Sequence, residues 1–159
     1  MIEQTFVALK PDAVQRGLTG EIIKRFEQVG MKIVAMKMVW VTPEFSKKHY
    51  REHVDKPFYK GLEEFIIQGP VIGMVLEGVS SVDTVRKMVG STEPKSAAPG
   101  TIRGDFSHHS YSYADQKGIP IKNLIHASGN KKDAEYEIAL WFTKSEMHNY
   151  KTVHEVHTQ

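Results

Sequence analysis

The length and composition of the chain limit the classes of protein to which it belongs. Its 159 residues suit one compact domain, expected to span residues 1–159. Hydrophobic residues make up 40% and charged residues 25%, as in ordinary soluble proteins. The net charge of +2 excludes nucleic-acid binding by charge alone, and the absence of cysteine excludes disulfides, thiolate metal sites and cysteine nucleophiles.

Targeting and membrane segments are not indicated. Met1–Gln4 has no basic segment followed by a long apolar run, so we expect no signal peptide. The apolar runs Ile33–Met36 and Val71–Leu76 are far shorter than the ~20 residues that a membrane-spanning helix needs. A cytoplasmic protein with no membrane partner is therefore expected.

The predicted strands are short apolar or alternating runs that end at turn residues. They span Thr5–Leu9, Met31–Val41, Val71–Leu76 and Ile121–Ala127. Helices are predicted between and after them, over residues 19–30, 43–54, 57–68, 81–89 and 130–142.

Capping residues define several of these helix boundaries. Thr42 and Pro43 form a typical start, a cap followed by proline at the first helical position. Ser81 and Asn130 are expected to cap the last two helices. Residues 106–120 have no clear periodicity and are predicted to be a long loop.

The order of these elements fits two folds. Two β-α-β units that share an antiparallel sheet would form a ferredoxin-like α+β sandwich. A doubly wound parallel sheet is the alternative, and the loop-rich connection after Gly90 does not decide between them.

Isolated cations follow segments that could meet at one end of the sheet. Lys10 follows the first strand, Arg86 lies in the helix after the third, and Arg103 stands between two glycines. Separated charges of this kind suit a phosphoryl group, whose charge is spread over three oxygens. Each cation alone is more simply a solvated surface residue. No P-loop, dinucleotide fingerprint or protein-kinase motif is present.

His126 is the candidate nucleophile, because an imidazole can attack or accept a proton near neutral pH. It shares the last predicted strand with Asn123, and Ser128 offers a hydrogen-bond partner nearby. Glu137 follows on the last helix, where its carboxylate could bind one ring nitrogen and leave the other free. Considered alone, His126 is more simply interpreted as a structural histidine, and Glu137 as part of a solvated helix face.

Metal and RNA binding receive less support from the sequence. His108 and His109 are adjacent, but no carboxylate or third histidine stands at ligand spacing, so no protein-held metal is predicted. The aromatic pattern of RNA-binding sheets is missing, so nucleic acid is not an expected requirement.

Taken together, these segments resemble the nucleoside diphosphate kinase family. The resemblance covers most of the chain and is most specific around His126. The matching segments are Thr5–Asp12, Val14–Leu18, Gly20–Ile23, Arg25-Phe26, His49-Tyr50, Lys56–Phe58, Gly69–Val71, Pro99–Phe106, Asn123–Gly129 and Glu137–Phe142. It implies the ferredoxin-like sandwich, with helices packed on a four-stranded antiparallel sheet.

The family's reaction moves the terminal phosphate of a nucleoside triphosphate, typically ATP, to a nucleoside diphosphate by a ping-pong mechanism. The resemblance implies that His126 carries the phosphate on Nδ1 and that Glu137 binds the other ring nitrogen. Lys10 and Asn123 would contact the ribose hydroxyls and the phosphate region. Ser128 would support His126 and is counted with the substrate-binding residues.

The resemblance also implies the rest of the substrate site. The remaining phosphate-binding side chains would be those of Tyr50, His53, Arg86, Thr92 and Arg103. Phe58 would stack on the base, with Leu62 beneath it, and stacking tolerates every base because each has a π-face. Magnesium would be carried on the nucleotide phosphates with water. A homo-oligomer, hexamer or tetramer, is expected.

Three segments depart from the family pattern. The chain is longer between Phe106 and Asn123, so the family's base-contacting position there cannot be placed. Gly129 replaces an aspartate found in many members, and residues 153–159 match no family segment.

A nucleotide-binding member without catalysis is the main alternative, but it would be expected to lack His126, Lys10 or Glu137. A histidine phosphatase would need an Arg-His-Gly motif, which is absent.

Overall fold

A four-stranded sheet forms the centre of the computed structural model, which describes all 159 residues. The strands are β1 (Ile2–Leu9), β2 (Lys32–Trp40), β3 (Pro70–Val79) and β4 (Ile125–Ala127). They lie in the order β2–β3–β1–β4, and every neighbouring pair is antiparallel. This is the order of a ferredoxin-like sandwich. The predicted fold is confirmed, and the parallel alternative is wrong.

Helices connect the strands and cover both faces of the sheet. They are α1 (Pro11–Gln15), α2 (Thr19–Gln28), α3 (Pro43–His49), α4 (Tyr59–Ile66), α5 (Ser81–Val89), α6 (Ile102–Phe106), α7 (Tyr111–Lys117), α8 (Lys131–Trp141) and α9 (Glu155–Thr158). None of them combines the length and the hydropathy needed to cross a bilayer. The helices α2 and α5 pack on one face, and α3, α4 and α8 pack on the other.

The central strand β1 contributes side chains to both cores. Val7 and Leu9 pack with α2 and α5, whereas Phe6 and Ala8 pack with Trp141 of α8. Successive strand residues point to opposite faces, so a strand covered on both sides is apolar nearly throughout. The edge strand β4 pairs with this buried central strand, and β4 contains His126.

Two predicted caps are confirmed and one is wrong. The side chain of Thr42 accepts a hydrogen bond from the amide of Phe45, and Asn130 caps α8 in the same way. Ser81 does not cap α5, because its hydroxyl donates to the carbonyl of Glu3 at 2.9 Å. This bond ties α5 to β1 instead.

Three predicted boundaries also differ from the structure. The predicted loop 106–120 contains α7, whose cap Ser110 accepts a hydrogen bond from the Tyr113 amide. The helix predicted to reach residue 54 ends at His49, because an exposed turn follows it. The strand β4 is shorter than predicted, so Asn123 lies just before it.

Candidate active site

A cleft of about 1100 Å³ opens between the ends of β1 and β4 and residues 43–66, which we call the arm. The arm consists of α3, α4 and the turn between them. The predicted site residues that line the cleft are Lys10, Tyr50, His53, Phe58, Leu62, Arg86, Thr92, Arg103, Asn123, His126 and Glu137. Segments far apart in the sequence therefore converge as the charge pattern suggested.

His126 and Glu137 form a hydrogen-bonded pair in this cleft. Nε2 of His126 lies 2.7 Å from Oε1 of Glu137. Strand alternation turns His126 away from its fully buried neighbour Ile125, and α8 places Glu137 beside the ring. The bond occupies Nε2, so Nδ1 is the ring nitrogen available for attack.

Ser128 lies behind this pair and does not line the cleft. Its side chain is fully buried. The hydroxyl donates to Oε2 of Glu137 at 2.6 Å and accepts from the amide of Phe6 at 3.3 Å. The expectation that Ser128 belongs with the substrate-binding residues is thereby corrected, because a completely buried hydroxyl cannot reach a ligand. Ser128 orients the carboxylate of Glu137.

The backbone just before His126 is strained. Leu124 has a φ of 71°, a conformation that a non-glycine residue rarely adopts. The Ile125 amide donates to the Asn123 carbonyl across it at 2.8 Å, which makes a tight γ-turn. Asp12 holds this turn by accepting from the Leu124 amide at 3.0 Å. Strain of this kind persists at functional sites where the surroundings impose it.

Lys10 is a buried cation at the end of β1. Its Nζ donates to Oδ1 of Asn123 at 2.7 Å. The side-chain Nδ2 of Asn123 donates to the carbonyl of Thr92 at 2.9 Å. Burial and the neighbouring charge of Arg103 lower the pKa of Lys10 to about 8, although Asp12 acts in the opposite direction. An anionic ligand in the cleft would therefore stabilise the charged form of Lys10.

Arg103 holds the site together and also lines it. Its guanidinium donates to the carbonyls of Gly90 at 3.0 Å, Asn123 at 3.1 Å and Ile125 at 2.6 Å. Burial lowers the pKa of Arg103 to about 10. A guanidinium has five N–H donors, so two remain for a ligand.

The arm forms the opposite wall of the cleft. Phe58 is 58% exposed, and Leu62 follows it at helical spacing on the same side of α4. Tyr50 is buried, and its hydroxyl has no hydrogen-bond partner. Burial and the nearby Glu137 raise the pKa of Tyr50, so the hydroxyl stays protonated as a donor.

His49 contacts His126, although no role was predicted for His49 from the sequence. The two rings are 4.7 Å apart and edge to face. The Nδ1 atom of His49 accepts a hydrogen bond from Trp141, and burial lowers the pKa of His49 well below its usual range. Ligand atoms of His49, His126 and Glu137 lie within 4.8 Å of one another, which also suits a metal ion. An ion there would compete with the existing bond between His126 and Glu137.

The helix α7 also lines the cleft, and it was missed because its sequence lacks an apolar periodicity. Tyr111, Asp115 and Ile119 contribute to this rim. The capping serine at position 110 and Gly118, which ends the helix with a φ of 62°, are the local signals that could have found it.

Known sequences are similar to this chain over most of its length. The nucleoside diphosphate kinase of Pyrococcus furiosus is 52% identical over 149 residues, which cover 94% of this chain and 88% of that protein. The nucleoside diphosphate kinase of Borreliella burgdorferi is 48% identical over 157 residues, with 95% and 93% covered.

Solved structures agree with these sequence comparisons. A transition-state mimic of the Borrelia burgdorferi nucleoside-diphosphate kinase with bound vanadate and ADP has a TM-score of 0.95 at 47% identity, covering 99% of this chain and 96% of that one. A Halobacterium salinarum nucleoside diphosphate kinase in complex with CDP has a TM-score of 0.87 at 41% identity, covering 98% and 97%. The family model for nucleoside diphosphate kinase matches residues 3–147, and the chain belongs to that family.

Proposed function

We propose that His126 carries the phosphate in the reaction of this nucleoside diphosphate kinase. The observation that supports this most directly is the bond between Nε2 of His126 and Glu137, which leaves Nδ1 free in the cleft. Glu137 in turn is held by Ser128. Covalent catalysis needs a nucleophile that is oriented by a second group, and a third group that orients the second. Here these three groups are His126, Glu137 and Ser128.

The transfer has two halves. In the first, the lone pair of Nδ1 attacks the terminal phosphorus of the nucleoside triphosphate, and the bond to the bridging oxygen breaks. The nucleoside diphosphate leaves with that oxygen. The proton on Nε2 stays in its bond to Glu137, whose negative charge stabilises the phosphorylated ring. In the second half, a terminal oxygen of another diphosphate attacks the phosphorus and releases Nδ1.

The phosphates would be held mainly by the cations and donors around His126. Lys10, Arg86 and Arg103 line the cleft together with the amide of Asn123. These groups fit phosphate oxygens rather than a metal ion, so magnesium would be held by the nucleotide phosphates and water. Bound magnesium would neutralise charge on the phosphates as it develops. Tyr50, His53 and Thr92 would complete the phosphate contacts.

The base would lie against the arm. The exposed ring of Phe58 and the side chain of Leu62 offer an apolar surface at the cleft mouth. Stacking on this surface would accept any of the common bases.

Assembly into a homo-oligomer is also proposed. The edge strand β2 exposes Met36, Met38 and Trp40, which are 54%, 59% and 66% accessible. Large apolar side chains grouped on an open sheet edge are typical of a subunit contact. Native mass measurement would give the number of subunits.

Labelled ATP provides the test of the phosphate carrier. Incubation with the protein should leave phosphate that is labile in acid, stable in base and located on His126. Because one cleft accepts the donor, releases a diphosphate and then binds the acceptor, double-reciprocal plots at several acceptor concentrations should be parallel. Intersecting lines would instead indicate direct transfer within a ternary complex.

The pH dependence of nucleotide use should follow Lys10. Its pKa of about 8 means that the free enzyme loses this positive charge as the pH rises through that value. We expect kcat/KM for ATP to fall above pH 8, by up to about tenfold per pH unit. Lys10→Met should have a lower kcat/KM and no decline in this range.

Between about pH 8 and 10.5, the stability contribution of Lys10 should rise while kcat/KM falls. The folded-state pKa of Lys10 is below its ordinary value of 10.5, so between about pH 8 and 10.5 the unfolded chain binds more protons. The contribution of Lys10 to stability therefore increases as the pH rises. A wild-type kcat/KM that stays flat between pH 8 and 10 would contradict the role given to Lys10.

A further inference from the structure

Tyr136 connects the arm to α8 through two contacts. Its hydroxyl donates to the carbonyl of Lys48 at 2.9 Å. Its ring is covered by the guanidinium of Arg51, whose central carbon lies 3.5 Å from the ring centroid. Lys48 is in the last turn of α3, and Arg51 begins the turn that follows. We call Tyr136, Arg51 and Lys48 the clamp.

Both contacts provide partners for groups of the arm that have none within the arm. The carbonyls in the last turn of a helix lack backbone partners, and the Tyr136 hydroxyl supplies one for Lys48. Arg51 forms no ion pair with a carboxylate, and its guanidinium lies on the Tyr136 ring instead. Arginine is well suited to such stacking because its guanidinium is planar and weakly hydrated.

The clamp acts at the part of the arm with the least support. Residues 51–58 form a turn between α3 and α4, and most of them are exposed. His53 and Phe58, two proposed nucleotide contacts, lie in this turn. Segments with few buried contacts open at low cost in free energy. A link from this turn to α8 therefore restrains a segment that has few buried contacts of its own.

Tyr136 and Arg51 also line the cleft. We infer that Tyr136 is a positioning residue that raises the affinity of the cleft for nucleotides by holding the arm against α8. The inference rests on the proposed function of the cleft. Tyr136 immediately precedes Glu137 in α8, so the clamp joins the wall with Phe58 to the helix with the catalytic carboxylate. A wall that is ordered in advance costs less entropy when the ligand binds.

The clamp should affect binding and not the chemical step. The hydrogen bonds that orient His126 are those of Glu137 and Ser128, and Tyr136 takes part in neither. Loss of the clamp should therefore weaken the binding of ADP and ATP alike. The rate of phosphorylation at saturating ATP should stay the same.

The test compares Tyr136→Ala, Tyr136→Phe and Arg51→Ala with the wild type. Calorimetry gives the dissociation constant of ADP, single-turnover phosphorylation gives the maximal rate with ATP, and hydrogen exchange follows residues 43–66. We expect Tyr136→Ala to weaken ADP binding about tenfold and to speed exchange in the arm, with a maximal rate within about twofold of wild type. Tyr136→Phe keeps the stacked ring and should recover much of the affinity.

The two contacts should also be coupled. Adding Arg51→Ala to Tyr136→Ala should weaken ADP binding little further, because the contact has already been lost. Glu135→Ala is the matched control, since Glu135 is an exposed neighbour on the same helix. A folded Tyr136→Ala protein with unchanged ADP affinity, or one that loses maximal rate alone, would overturn the inference. ADP affinity does not depend on His126 phosphorylation, so a failure of the proposed phosphate carrier would be seen separately.

Discussion

His126→Gly is expected to reduce phosphate transfer to less than about a thousandth of the wild-type rate while leaving nucleotide binding nearly intact. The substitution removes the only group proposed to form a bond to phosphorus, whereas Lys10, Arg103 and the arm remain. Steady-state transfer between ATP and a second diphosphate measures the loss, and calorimetry with ADP measures the retained affinity. Free imidazole should restore part of the turnover by entering the space of the missing ring.

The matched variant for this experiment is Glu137→Gln. It keeps the shape of the side chain and a hydrogen bond to the ring, but it removes the negative charge that is proposed to stabilise phosphorylated His126. We expect a smaller loss than for His126→Gly, and no rescue by imidazole. Transfer by His126→Gly above the stated level without imidazole would rule out His126 as the phosphate carrier.

Arg103→Ala is expected to impair both stability and transfer. The guanidinium donates to three carbonyls around the strained segment before His126, and truncation leaves all three without their charged partner. Hydrogen bonds to charged groups contribute about 1.5–3 kcal/mol each and are not additive, so we expect a loss of about 3 kcal/mol in the free energy of unfolding. Denaturant unfolding measures it.

The effect of this substitution on transfer has two sources. The two remaining N–H groups of Arg103 are proposed phosphate donors, and the Asn123–Ile125 turn loses its support at the same time. We expect single-turnover phosphorylation to slow by at least about a hundredfold. Arg103→Lys retains the positive charge but cannot reproduce the planar arrangement of N–H donors in a guanidinium. It should therefore recover little of the stability or of the phosphorylation rate. Full stability in Arg103→Ala would show that these three hydrogen bonds are dispensable.

Local patterns in the sequence predicted the structure correctly where that structure depends on residues close together in the chain. Thr42 and Asn130 cap their helices because a capping side chain bonds an amide only three residues away. The short apolar run Thr5–Leu9 predicted a buried strand, because both faces of β1 are covered and its side chains are buried on either side. The strand and the helix that follows it left the pairing of His126 with Glu137 open, and only the family resemblance implied the bond that the structure contains.

The same local reasoning failed where distant segments decide the outcome. Ser81 has the character of a helix cap, but its hydroxyl donates to the carbonyl of Glu3 near the start of β1 instead. Ser128 was grouped with the ligand-binding residues, yet packing of α8 over β4 encloses it completely. The helix α7 escaped prediction because it packs through one buried alanine, Ala114, and not through an apolar stripe.

Charges and hydrogen bonds across the cleft follow from the tertiary structure alone. The sequence presents Lys10 and Arg103 as two separate cations, but folding buries them side by side, and their desolvation lowers both pKa values. His49 and the clamp at Tyr136 could not be inferred from spacing, since their partners lie on elements that meet only in the folded protein. Local sequence specifies the reactive groups and most secondary structure, whereas burial and long-range contacts set how those groups are charged, oriented and held.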